Sequence, residues 1–195
     1  MASQGPLYPA VSATSSVAPE SSDAWVNPGN VGADDGTEAQ IVAASYDAPD
    51  VSQRLITSAY SFTVPGTATI DGVVVEIDRR CFAGSSVDSR VQLRNELGAI
   101  AGNNNKAAGA WPATLSVATY GSATTLWGIA LTPAIVNDTD FGMALAVQAT
   151  AANTDIAVDF IRMTVHYTPL PGGEEPISPY YSGYYSQMIH EGSQF

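Results

Sequence analysis

Hydrophobic positions recur at two-residue steps in several stretches of this chain. In 159–167, Asp159 is followed by Ile161, Met163, Val165 and Tyr167, with Arg162, Thr164 and His166 between them. In 71–79, Asp71 leads Val73, Val75, Ile77 and Arg79, with Glu76 and Asp78 among the intervening positions. A period of two sends alternate side chains to opposite faces, so each stretch predicts a half-buried β-strand. The two are expected to be long strands of one sandwich core.

Other stretches follow the same rule. A first strand is expected over 38–45. In 55–64, Tyr60, Phe62 and Val64 alternate with Ser61 and Thr63 until Pro65-Gly66 stops the run. Val87, Ser89, Val91 and Leu93 alternate with Asp88, Arg90, Gln92 and Arg94, which predicts a strand with its charged face toward water. Strands are also expected over 115–120 and 125–131. Phe141, Met143, Leu145, Val147 and Ala149 alternate with Gly142, Ala144, Ala146 and Gln148. The second face is small rather than polar there, making it a candidate for close strand packing or a subunit contact. Between strands, 95–112 is a long small-residue excursion with Asn103-Asn104-Asn105-Lys106 as its expected tip and Trp111-Pro112 as its anchor.

About eight short strands with frequent turn signals predict an all-β fold, a β-sandwich of jelly-roll-like type, without fixing the strand order. The expected division has three parts: an extended N-terminal arm over 1–24, the sandwich domain over 25–168, and a Pro/Gly linker with a Tyr-rich tail over 169–195. The arm is rich in Ser, Ala and Pro and has no periodicity, so it is expected to order only on a partner. Trp25, ahead of Asn27-Pro28-Gly29, reads as a plug closing one end of the domain.

Charge sharpens this division. The formal net charge is −12, yet 54–162 holds all seven basic residues against nine acids. The two ends carry the remaining acids and no Lys or Arg. An acidic shell around a near-neutral core lacks the clustered cations that phosphate backbones require, so no nucleic-acid partner is expected. The start of the chain has no basic segment followed by an apolar run, so no secretory signal is expected. No stretch approaches the roughly 18 apolar residues of a membrane span, so no membrane partner is expected either.

Candidate chemistry is sparse. Cys81 stands alone, which excludes an internal disulfide and predicts a buried thiol. His166 and His190 have no spacing partner for a metal. Asp34-Asp35 and Asp138 with Asp140 are the carboxylate clusters that a calcium ion would need, but turn capping accounts for both more simply. Asp71 and Asp159, at equivalent places in similar strands, form a conceivable catalytic pair; acceptance of turn N–H groups at the strand entry is the simpler role. No catalytic residue, metal site or cofactor is therefore assigned.

The series MASQGPLYP, WVNPGN, TATIDGVVVEI, NKAAGAWP, YGSATTLWG, DFGMALAVQA and VDFIRMTVHYT resembles a group of tailed-bacteriophage virion proteins of the minor structural or decoration type. The resemblance spans roughly residues 1–168, and similar sandwich modules occur in bacterial surface proteins. It implies a non-enzymatic structural protein of a phage particle, made in the host cytoplasm and located in the virion. Capsid decoration, cement or collar roles come first, with capsid, neck or tail proteins as partners. The alternative is a tail-fibre or head-fibre module binding a host glycan or receptor, for which Trp25, Trp111, Trp127 and Tyr120 are the candidate contacts, although a role as core plugs accounts for all four more simply. Fold-level analogy adds a homo-oligomer, with a trimer favoured.

The expected partner-binding residues are Leu7 and Tyr8 in the first arm and Tyr180, Tyr181, Tyr184, Tyr185, Ile189 and Phe195 in the tail. Each large side chain buried on a neighbour contributes about 1.5–3 kcal/mol, against roughly 1–2 kcal/mol per backbone residue ordered. Several anchors must therefore engage together, and truncating either arm is expected to leave the sandwich folded.

Overall fold

The computed structural model describes residues 1–16, 23–42 and 46–170. Among these residues, ten strands build two antiparallel sheets. In chain order they are β1 (Ala2–Leu7), β2 (Val11–Ser15), β3 (Ala39–Val42), β4 (Arg54–Ser58) and β5 (Thr69–Ala83), then β6 (Ser86–Arg94), β7 (Ile100–Ala101), β8 (Ser116–Gly121), β9 (Gly142–Ala149) and β10 (Asp155–Thr168). One sheet runs β1-β10-β5-β8, with β3 also beside β10; the other runs β2-β4-β9-β6-β7.

Leaving out β1 and β2, the sheets read β3-β10-β5-β8 and β4-β9-β6-β7. Successive strands cross from one sheet to the other except at the β6–β7 hairpin. Eight strands in this order form the two interlocked Greek keys of a jelly roll. The strands with the clearest alternation, β5 and β10, pair directly along almost their whole lengths at the centre of one sheet. Val73, Val75, Ile77, Ile161, Met163 and Val165 are fully buried between the sheets. Phe141, Met143, Leu145 and Val147 face them from the second sheet and are also fully buried.

The first 16 residues depart from expectation. They are not an arm outside the domain: β1 pairs with the 163–167 half of β10, and β2 pairs with β4 in the opposite sheet. Their ladder bonds use backbone groups, which any composition supplies, so the absence of apolar periodicity did not reveal them. Leu7 sits opposite Met163 and packs against the core.

The strand expected over 55–64 ends at Ser58 in β4, and the one expected over 125–131 is a turn. Over 59–64 the burial alternation is real, with Tyr60, Phe62 and Val64 buried, but Ala59 and Ser61 have positive φ and cannot hold a ladder. The Gln4 side chain accepts from the Thr63 N–H, and Asn137 both accepts from the Val64 N–H and donates to its carbonyl. Over 125–131, left-handed backbone at Trp127 and Gly128 does the same, and Trp127 Nε1 donates to the Val73 carbonyl at 2.9 Å. Next, Pro133–Val136 forms one short helical turn capped by Thr132.

The small face of β9 is closed inside the chain. Ala144 and Ala146 are fully buried, with Gln92 and Arg90 beside them in register on β6 and Ile56 beside Ala144 on β4. Paired residues share a sheet face, so these longer side chains flank the alanines. Close strand packing is the outcome, and those alanines are not available for a subunit contact.

Candidate functional site

The densest polar constellation lies between the sheets, on a strand expected to turn its charges to water. A bulge between Asp88 and Arg90 shifts the phase of β6. Ser86 and Asp88 before it, and Val91 and Leu93 after it, are all buried. The extra residue of a bulge reverses the alternation, and that is what carries Asp88 inward.

Asp88 is fully engaged there. Its Oδ1 accepts from Arg79 Nη1 at 2.5 Å and from Trp111 Nε1 at 2.7 Å. Oδ2 accepts from the Tyr120 hydroxyl at 2.8 Å and from the Ala107 N–H at 2.9 Å. Arg79, inward in phase with Val75 and Ile77, lies 4.8 Å from the Trp111 ring centroid and 5.7 Å from that of Tyr120. Burial, followed by the neighbouring Asp88 carboxylate, pushes the Tyr120 phenol well above its ordinary range. A neutral hydroxyl donating to a buried carboxylate is the consequence. With every Asp88 lone-pair direction taken and the group sealed between the sheets, this centre ties elements together.

What it ties down is the 95–112 excursion. Beyond β7, the chain runs back along β6. The Asn104 side chain accepts from the Val91 N–H and donates to the Ser89 carbonyl, and Asn105 N–H donates to the Val91 carbonyl. Ala107 reaches Asp88, Ala110 bridges Val87, and Trp111 N–H donates to the Ser86 carbonyl. The expected asparagine tip is therefore a seam along a sheet edge, which it protects from foreign strands. Trp111 is the anchor that its position predicted.

The remaining candidates are scattered. In the antiparallel β5–β10 pair, Asp71 lies opposite the 166–167 end of β10, and Asp159 lies opposite the Asp78–Arg79 region. Seven residues of strand, roughly 23 Å, separate them, so they form no carboxylate pair. Asp71 accepts from the Thr168 hydroxyl at 2.7 Å. Asp159, inside the strand at a bulge rather than at its entry, accepts from the Gly36 N–H at 3.0 Å, which ties the 34–36 turn to the sheet. Burial, with Asp34 and Asp78 nearby, raises the Asp159 carboxyl above its usual range; Asp78 is raised by burial first and then by Asp34.

Asp35 accepts from both the N–H and the hydroxyl of Thr37, and Asp138 accepts from the Asp140 N–H. Among the described residues no group of three or more His, Cys, Asp or Glu is placed to hold a metal ion, and no helix is long and apolar enough to cross a membrane. Cys81 is buried, and burial raises its thiol.

Trp25, Trp111, Trp127 and Tyr120 are all core residues, each at most 5% exposed. Each ring polar group is spent inside the chain; Trp25 Nε1, for example, donates to the Gln53 carbonyl. None of the four is presented to a glycan. Tyr8 is half-buried and meets Phe160 edge-on, with centroids 6.0 Å apart. Leu7 and Tyr8 thus serve their own sandwich. Tyr180, Tyr181, Tyr184, Tyr185, Ile189 and Phe195, with His190, lie outside the described residues. No protein family, curated protein or solved structure matches the chain.

Proposed function

We propose that this chain is a non-enzymatic structural protein of a tailed-phage particle, a capsid decoration, cement or collar component that joins other virion proteins through its C-terminal tail. One observation carries the reading: the motifs behind the resemblance are scaffold. WVNPGN supplies the Trp25 plug and the turn at Pro28–Val31. NKAAGAWP supplies the segment sealed onto Asp88, and YGSATTLWG supplies the turn closed by Trp127. A likeness concentrated in framework residues suits a protein whose task is to present a rigid body. The tyrosine-rich tail lies outside that likeness, and tyrosine brings contact area at low entropic cost.

The test is localisation and copy number. Antibody-gold labelling and quantitative mass spectrometry of purified particles are expected to find many copies on the head or neck. Absence from particles, or glycan-array binding by the purified protein with copies confined to fibre tips, would overturn this reading.

A further inference from the structure

We infer that the free edge of β8 receives the tyrosine-rich tail of a neighbouring copy, as an added antiparallel strand. This inference rests on the structural-protein reading and names the surface through which copies meet. β8 pairs with β5 on one side only, and on the other side its backbone groups have no partner among the described residues. Several other sheet edges are blunted. β1 carries Pro6 and an irregular register, β2 is packed by the Pro28–Val31 turn, and β6 is covered by β7 and the seam beyond it. β8 has none of these protections. Residues 115–122, LSVATYGS, contain no charge and no proline, and Leu115 and Val117 are exposed. An edge of this kind is a template for another strand.

The tail fits it chemically. Residues 176–189, PISPYYSGYYSQMI, are uncharged, so the −12 chain brings no like charge to the contact. Tyr and Ile favour strands; in an extended strand Tyr180 and Tyr184 share one face and Tyr181 and Tyr185 the other, and one such pair would flank Leu115 and Val117. Position argues for a neighbour rather than the same chain. β10 ends at Thr168, opposite Thr69, and Pro169 and Pro171 follow. Between that exit and the chain's own β8 edge stands the 122–127 turn, with the Ser122 carbonyl and Ala123 close against Gly72 and the Thr125 carbonyl accepting from the Val73 N–H. Residues 171–195 extend to roughly 80 Å, ample to reach another copy. Tail-to-edge contacts are head-to-tail, and they close into a ring when the rotation permits.

Light scattering and amide hydrogen exchange on the full chain, a chain lacking residues 172–195, and Val117→Lys test this. The full chain is expected to oligomerise with concentration, its β8 amides exchanging roughly tenfold slower than in the truncated chain. Both variants are expected to be monomers. Mixed together, they are expected to form a one-to-one pair, because one keeps the edge and the other keeps the tail. A monomeric full chain whose β8 amides lose protection on truncation would place the tail on its own edge and overturn the inference. So would oligomers that survive truncation, or β8 exchange indifferent to the tail. Particle copy number is read separately: normal incorporation of a monomeric full chain sinks this inference alone, whereas absence of the full chain from particles sinks the structural-protein reading.

Discussion

Asp88 accepts four hydrogen bonds from three parts of the chain, β5, the 95–112 excursion and β8, and removing it leaves the Arg79 charge buried without its partner. Breaking a buried pair in this way costs about 3–5 kcal/mol. Asp88→Ala is therefore expected to lower the denaturant midpoint with little change in slope. Replacing Arg79 and Asp88 together by Met and Leu is expected to cost less than the two single changes summed; equal costs would mean the pair is not coupled. Asp78 is the opposite case. One of its carboxyl oxygens is buried with no partner, and burial raises its folded pKa above the ordinary 3.8. Above the folded value the native state bears an ionised carboxylate at a cost. As pH falls through that value the native state takes up the proton before the unfolded chain does, and the cost is relieved by about 3.8. Asp78→Asn is thus expected to raise Tm at pH 7, and its advantage over the parent is expected to vanish as pH falls toward 4. A constant difference across that range would contradict the assignment.

At the scale of elements, the N-terminal strands and the β6 seam make the sharpest claims. Because β1 and β2 lie in opposite sheets, deleting residues 2–15 is expected to unfold the sandwich or sharply lower its denaturant midpoint, where a detachable arm would change nothing. Asn104→Ala strips the Val91 N–H and the Ser89 carbonyl of their partner and is expected to cost about 0.5–1.5 kcal/mol, with faster amide exchange confined to the 100–111 seam and β6. Strands were legible where one face is apolar and the other polar, as in β5 and β10. They were illegible where pairing depends on the backbone, as in β1 and β2. The alternation of Tyr60, Phe62 and Val64 misled because burial at two-residue steps also arises from a loop with left-handed residues at Ala59 and Ser61. Asp88 was misplaced because one bulge residue inverts the phase of everything before it. The one hint lay in Trp111-Pro112, a large anchor that needs a buried partner for its N–H.

At the scale of the whole molecule, a jelly roll whose tryptophans and central ion pair are consumed internally is a rigid body with an open strand edge at β8 and a tyrosine-rich tail whose 176–189 stretch is uncharged. The candidate partner residues divided accordingly: Leu7 and Tyr8 belong to the sandwich, and the tail residues stand outside the described part of the molecule. The distribution of charge along the chain was readable beforehand, since it needs only the order of residues. Which aromatics face solvent was not, since that depends on which strand each turn returns to. The most direct measurement of the central claim is the copy number per purified particle, by quantitative mass spectrometry, for the full chain and for the chain lacking residues 172–195, with circular dichroism showing both to be folded. The account predicts many copies of the full chain and severe depletion of the truncated one; equal incorporation of the two, or absence of both, would contradict it.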